Sequence, residues 1–369
     1  MIGQRRIGAN PGRARRGLAA ALAAIGAAAG GLTLTAAAPI PAVASAAGHA
    51  AWRLRLAIHY LPPATNRSEY DVVLTGPSRT WFLGGSDIFG RGKPVAEQIA
   101  NGVPHSAVLP TGPHSWITAA SAPSPTDIWA VTYLGGSVLH WNGARWATAP
   151  RGNWKAGTRF TGVMALSPTD GWVFGTGGRH HPGAGTWHFS GTRWARVRGA
   201  AGGIFQAASA GRRDAWGIGD AGATGNALLH FNGTSWLRVR PPALAGFRYT
   251  HLLALSPADV WVAGSVAGVP RLGHFDGRGW AALQMPGKTA ATGLCRDGRG
   301  GLWVIANSGT APSLVRRRAA DGTWTRAVVS SKAADEILAC ALIRGTQRAW
   351  GAGQAAAPQG SAAAAYRYG

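Results

Sequence analysis

Charge is scarce in this sequence, and acidic charge most of all. Only 14% of the 369 residues are charged, and Asp and Glu together number 14. Paired carboxylates for acid–base chemistry or for a hard metal ion therefore have few residues to draw on. Cysteine is rarer still, with Cys295 and Cys340 alone. Two cysteines exclude a disulfide-rich scaffold and a four-cysteine zinc site. Long apolar runs are missing too. After residue 46 nothing approaches the roughly 18 continuous apolar residues of a membrane-spanning helix, so no later span is expected. What is abundant is Gly (55), Pro (22) and Trp (17). That mixture fits many short strands and tight turns better than helices.

The formal net charge is +23. Residues 1–46 hold Arg5, Arg6, Arg13, Arg15 and Arg16 and no acid, which leaves 32 basic against 14 acidic residues, a formal +18. A surface of that sign attracts acidic glycans, wall phosphate polymers or nucleic acid in a salt-dependent way. Dispersed arginine also serves solubility alone. The one dense basic run after residue 46 is Arg316-Arg317-Arg318.

Residues 1–46 read as a signal peptide. Basic residues end at Arg13-Ala14-Arg15-Arg16, a Gly/Ala/Leu-rich stretch covers 17–38, and small residues follow at Ala42-Val43-Ala44-Ser45-Ala46. Ala42-x-Ala44 and Ala44-x-Ala46 both satisfy the cleavage pattern. Arg15-Arg16-Gly17-Leu18 resembles a twin-arginine signal, so either that route or the general secretory route is open. The expectation is a secreted or wall-associated protein, with no lipid anchor at the cleavage site because no Cys lies there.

The rest of the chain is a repeat of about 44 residues. Its first signature is a Ser-Pro-x-Asp turn followed by a strand with Trp. It occurs as Ser124-Pro125-Thr126-Asp127-Ile128-Trp129, Ser167-Pro168-Thr169-Asp170-Gly171-Trp172 and Ser256-Pro257-Ala258-Asp259-Val260-Trp261. Looser copies end at Trp81, Trp216, Trp303 and Trp350. Its second signature is a hairpin: His140-Trp141-Asn142-Gly143-Ala144-Arg145-Trp146, then copies ending at Trp194, Trp236, Trp280 and Trp324. Asn-Gly between apolar runs is a strong hairpin signal, since both residues accept positive φ. In the first unit Asn101-Gly102 takes this place, and His105 stands for the second Trp.

Four strands per unit, seven times over, predict an all-β, seven-bladed β-propeller of four-stranded antiparallel blades. The blades fall at about 70–110, 115–150, 160–199, 204–241, 249–285, 291–330 and 337–369 of a single domain, 47–369. The last unit stops at Tyr366-Arg367-Tyr368-Gly369, one strand short. Trp52-Arg53-Leu54-Arg55-Leu56 resembles the fourth-strand segment Trp194-Ala195-Arg196-Val197-Arg198. Residues 51–58 are therefore expected to complete the seventh blade and close the ring.

The pattern Ser-Pro-x-Asp-x-Trp followed by His-Trp-Asn-Gly-x-x-Trp resembles the repeats of secreted propeller proteins of actinomycetes and myxobacteria. Asp321-Gly322-Thr323-Trp324 is similar to part of the Asp-box of sialidase-type propellers, without the Ser or Thr before the Asp and the Gly two residues after it. In that family the box is a stabilising turn, so the resemblance implies a fold element and no hydrolytic site.

The repeat accounts for most residues that could carry chemistry. Asp127, Asp170, Asp214 and Asp259 hold one repeat position and are expected to cap the turn. His140, His188, His230 and His274 recur on the third strand as packing and hydrogen-bonding residues, and the repeated Trp as core between blades. Outside the template, Asp87, Asp220 and His180 are the weak catalytic candidates. His180-His181 is one adjacent pair without a third ligand, so no metal and no cofactor is expected. Ligand contacts are assigned to Tyr133, Arg159, Arg179, His181, Arg248 and Arg271, with Trp116, Trp154, Phe160, Phe205 and Tyr249 as further aromatic candidates. Cys295 and Cys340, on the inner strands of blades 6 and 7, are either a disulfide or two buried thiols. The reading is a monomeric, secreted binding or scaffold propeller for an extracellular polymer or protein, acidic in character. The alternative is a propeller hydrolase or lyase acting on an anionic carbohydrate-like substrate. Export argues against nucleic acid as partner.

Overall fold

In this computed structural model the described residues are 44–45, 51–58, 69–76, 79–86, 92–112, 115–133, 135–155, 157–176, 184–197, 203–220, 226–307, 312–330, 335–343, 345–357 and 360–369. All belong to the unit Pro41–Gly369. Each repeat folds as an antiparallel sheet. Blade 3 is typical: Gly162–Ser167 is innermost, then Asp170–Gly175, Gly185–Phe189 and Trp194–Val197. The innermost strands of blades 1 to 7 begin at Glu69, Ile117, Gly162, Ile204, Phe247, Gly293 and Glu336. Each lies against the next, and the seventh lies against the first, so the ring is closed.

The turns follow from side-chain chemistry. Ser124, Ser167 and Ser256 each accept a hydrogen bond at Oγ from the backbone N–H two residues on, at 3.2–3.3 Å. Serine, not aspartate, caps these turns. Asn142 Oδ1 accepts from the N–H of Ala144 and Arg145, and Asn232 and Asp276 repeat the arrangement. Only the Gly of these hairpins has positive φ, for example 92° at Gly143, while Asn142 does not. Positive φ at both residues occurs at Asn101-Gly102 (51° and 82°), a tighter hairpin. There Pro104, not His105, stands opposite Ile99, where other blades carry the fourth-strand Trp; His105 pairs with Gln98.

Seven buried clusters fill the seven blade interfaces. Each second-strand Trp is buried, and Trp81, Trp129, Trp172, Trp216, Trp303 and Trp350 meet aromatic rings of the next blade, while Trp261 meets Arg317 there. Trp172 touches Phe231 and Trp236, and Trp216 touches Phe275 and Trp280, with ring centroids 5.0–6.0 Å apart. Such edge-on and tilted contacts suit the ring quadrupole and add to the burial of large apolar area. Near the axis Thr118, Thr161 and Thr250 clasp blades 2, 3 and 5 to the blade that follows by donating to the carbonyls of Phe160, Ile204 and Ala291.

The seventh blade closes as the sequence implies. Ala51–Ile58 runs antiparallel beside Gly360–Tyr368, with Trp52 opposite Tyr368. Trp52 is fully buried and meets Trp303 of blade 6 at 5.8 Å. Two short parallel additions were not foreseen. Val328–Ser330 pairs with Ala51–Arg53, and Ala44–Ser45, inside the predicted leader, pairs with Thr325–Arg326. Among the described residues no helix is long and apolar enough to cross a membrane.

Candidate functional site

The antiparallel order gives the ring two distinct faces. The loop face carries the entries to the innermost strands and the loops between second and third strands. The opposite, turn face carries the Ser-Pro-x-Asp turns and the Asn-Gly hairpins.

On the loop face three sequence candidates meet between blades 2 and 3. Trp116 and Tyr133 stack with centroids 4.4 Å apart and planes 20° apart, and the Tyr133 N–H donates to the Trp116 carbonyl. The Arg159 guanidinium lies over Tyr133, 4.1 Å from its centroid, a cation–π contact. All three are half-buried. Arg248 and Arg271 open on the same face but belong to blade 5, so they do not join this stack. Asp220 ends the second strand of blade 4, exposed. Asp87, Arg179, His180 and His181 lie outside the described residues.

Other aromatic candidates turn out to be core. Trp154 is buried, donates its indole N–H to Gly136 and packs on Phe160, Trp187 and Trp194. Phe160 is fully buried. Tyr249 packs on Phe247, and burial pushes its hydroxyl up to about 12. Phe205 is half-buried against the same cluster.

On the turn face the repeated Asp and His meet. His140, His188, His230 and His274 bring Nε2 within 2.7–3.0 Å of Asp127, Asp170, Asp214 and Asp259 of their own blades. Each ring also lies on the Trp directly across the strand pair, at 3.9–4.6 Å between centroids. Asp127 and Asp259 additionally accept from the indole N–H of Trp129 and Trp261. The expected turn-capping aspartates are thus acceptors for His and Trp.

Arg316-Arg317-Arg318 is absorbed in the same way. Arg316 stands opposite Trp303, where other blades have His, and its Nε lies 2.7 Å from buried Asp297. Arg317 takes the third-strand aromatic position and sits over Trp261. Burial lowers its pKa, partly offset by Asp321. Arg318 lies 3.5 Å from Asp321.

Carboxylates elsewhere are engaged as well. Buried Glu97 accepts from Ser106, buried Asp335 from the Ala356 N–H, and Glu336 from Gln354. Backbone N–H groups hold Asp276 and Asp321 below the usual carboxylate range. Among the described residues no three His, Cys, Asp or Glu gather as a metal site. Cys295 and Cys340 form a disulfide between the innermost strands of blades 6 and 7, with Cα atoms 5.7 Å apart.

No family model and no curated protein matches the sequence. Solved structures do. YCF48 bound to D1 peptide aligns with a TM-score of 0.60 at 13% identity, over 88% of this chain and 98% of that one. YCF48 from Cyanidioschyzon merolae aligns at 0.57 and 14%, over 86% and 98%. The Cps50 (Swd1) β-propeller domain of Myceliophteria thermophila aligns at 0.54 and 9%, over 77% and 93%. At these identities the likeness shows a shared propeller fold.

Proposed function

We propose that the chain is an exported binding or scaffold propeller whose partner is an extracellular anionic polymer or acidic protein segment. One observation carries this reading: most described carboxylates are engaged by hydrogen bonds within the protein, while many arginines are exposed. Among the described residues, Glu97, Asp127, Asp170, Asp214, Asp259, Asp276, Asp297, Asp321, Asp335 and Glu336 hydrogen-bond within the protein, to His, Arg, Ser, Thr, Gln or backbone groups. Exposed Arg145, Arg193, Arg212, Arg213, Arg278 and Arg348 stand on the turn face, and Arg196 and Arg326 on the outer strands. Such a distribution favours an extended polyanion bound through many phosphate, sulfate or carboxylate contacts. The Trp116–Tyr133–Arg159 stack adds an aromatic and cationic station on the loop face. A protein of the same fold, YCF48, is solved with a bound peptide, so the ring accommodates a chain-like ligand in at least one case.

The test is a binding screen of extracellular glycans, cell-wall fractions and acidic peptides across a salt series. The reading expects anionic members to bind and to release as salt rises. Retention of neutral glycans alone would contradict it.

A further inference from the structure

On the turn face the innermost strands of blades 5, 6 and 7 converge around a cavity of about 860 Å³. We propose that this cavity is a binding site for a small amphipathic anion: an apolar body carrying one carboxylate, sulfonate or phosphate head. The cavity shares the turn face with the exposed arginines, but the proposal does not rest on the polymer-binding reading.

Volume is the first argument, because small-molecule sites typically span roughly 300–1,000 Å³. The lining is the second. Leu253, Leu255, Leu294 and Leu342 present aliphatic surface, and the Cys295–Cys340 bridge crosses the wall between blades 6 and 7. This surface favours an apolar guest, because burying apolar area against it removes that area from water. Charge is the third. Asp259 and Arg296 are the ionisable lining residues. The Asp259 carboxylate already accepts from His274 and from the Trp261 indole, at 3.0 and 2.7 Å. Arg296 is exposed, and one of its guanidinium N–H groups donates to the Leu255 carbonyl at 2.9 Å. A guanidinium has five donors, so that bond orients the fork and leaves others for an anion. Arg299, between the lining residues Gly298 and Gly300, is exposed beside the cavity, with its guanidinium donating to the Gln347 side-chain carbonyl. An apolar cup with positive charge on one side selects a guest with an apolar end and an anionic end.

The test titrates the full chain, oxidised, with anilinonaphthalene sulfonate and with its neutral analogue phenylnaphthylamine, read by fluorescence. The proposal expects saturable one-to-one binding of the sulfonate, tighter than the neutral dye by about tenfold or more. Arg296→Gln should cut sulfonate affinity by a similar factor and leave the neutral dye unchanged. Leu255→Trp, which fills the cup, should remove both. Thermal melts establish that each variant folds. Equal affinity for the two dyes, or unchanged sulfonate binding in either folded variant, overturns the proposal.

Discussion

The third-strand histidines each make two contacts: they lie on a tryptophan and hydrogen-bond a carboxylate. Removing either partner of such a bond leaves the other to water or unpaired. His230→Ala should cost about 1 kcal/mol, and Asp127→Ala about 2 kcal/mol, because buried Asp127 also receives the Trp129 indole. Urea denaturation of the single variants measures both. A His230→Ala, Asp214→Ala double variant should cost less than the sum of its parts. His251, on the innermost strand of blade 5, behaves differently. Burial pulls its imidazole down to about 4, opposed by a hydrogen bond with the Ala291 backbone. The unfolded chain therefore binds this proton more readily than the folded one. The contribution is complete above the ordinary value near 6.5 and is lost as pH falls from 6.5 toward 4. His251→Gln should flatten the fall in melting temperature across that window; an unchanged profile would remove His251 as its source. The Asp–His contacts leave a trace in the sequence, since both residues recur in the same four units. In unit 6 the pair becomes Asp297 with Arg316, and in units 1 and 7 Gln98 and Arg367 stand opposite the Trp. The separation varies from 13 to 18 residues because the intervening loop varies, which hides the pairing from a search by fixed spacing.

Among elements, the closing strand matters most. Trp52 supplies the fourth-strand tryptophan that blade 7 lacks, against Trp303 and Tyr368. Trp52→Ala should cost about 3–5 kcal/mol, the range for truncating a fully buried aromatic. Deleting 51–58 should replace cooperative unfolding with a broad transition, seen by circular dichroism. The four-strand unit and the closing strand were legible because Trp spacing and the missing last strand both show in the chain. The Asn-Gly hairpins were legible as turns but not in geometry: four of the blades use a side-chain-capped loop with one left-handed glycine. Trp154, Phe160 and Tyr249 looked like ligand residues because they fall outside the template. Burial assigns them to the core, and no periodic signal distinguishes core that does not repeat.

For the whole molecule, ring closure rests on contacts between the first and last blades, and the Cys295–Cys340 bridge lies one blade from that joint. Its ends are 45 residues apart, and a cross-link of that span stabilises by about 4 kcal/mol in the chain-entropy picture. Reduction should therefore lower the melting temperature by several degrees, and the native oxidised protein should show no alkylatable thiol by intact mass. Seven blades also explain why function reads so faintly in this sequence. The template places most of the Trp and Asp, and His140, His188, His230 and His274, and with them the usual marks of an active site. Among the described residues, the charge left to the solvent is mostly arginine.

The most direct measurement is the affinity of the protein for polyphosphate, and for an uncharged dextran of similar length, at low and at raised salt. The account predicts polyphosphate binding that weakens by about tenfold or more between roughly 50 and 200 mM salt, with no dextran binding. Polyphosphate affinity that ignores salt, or equal binding of dextran, would contradict it.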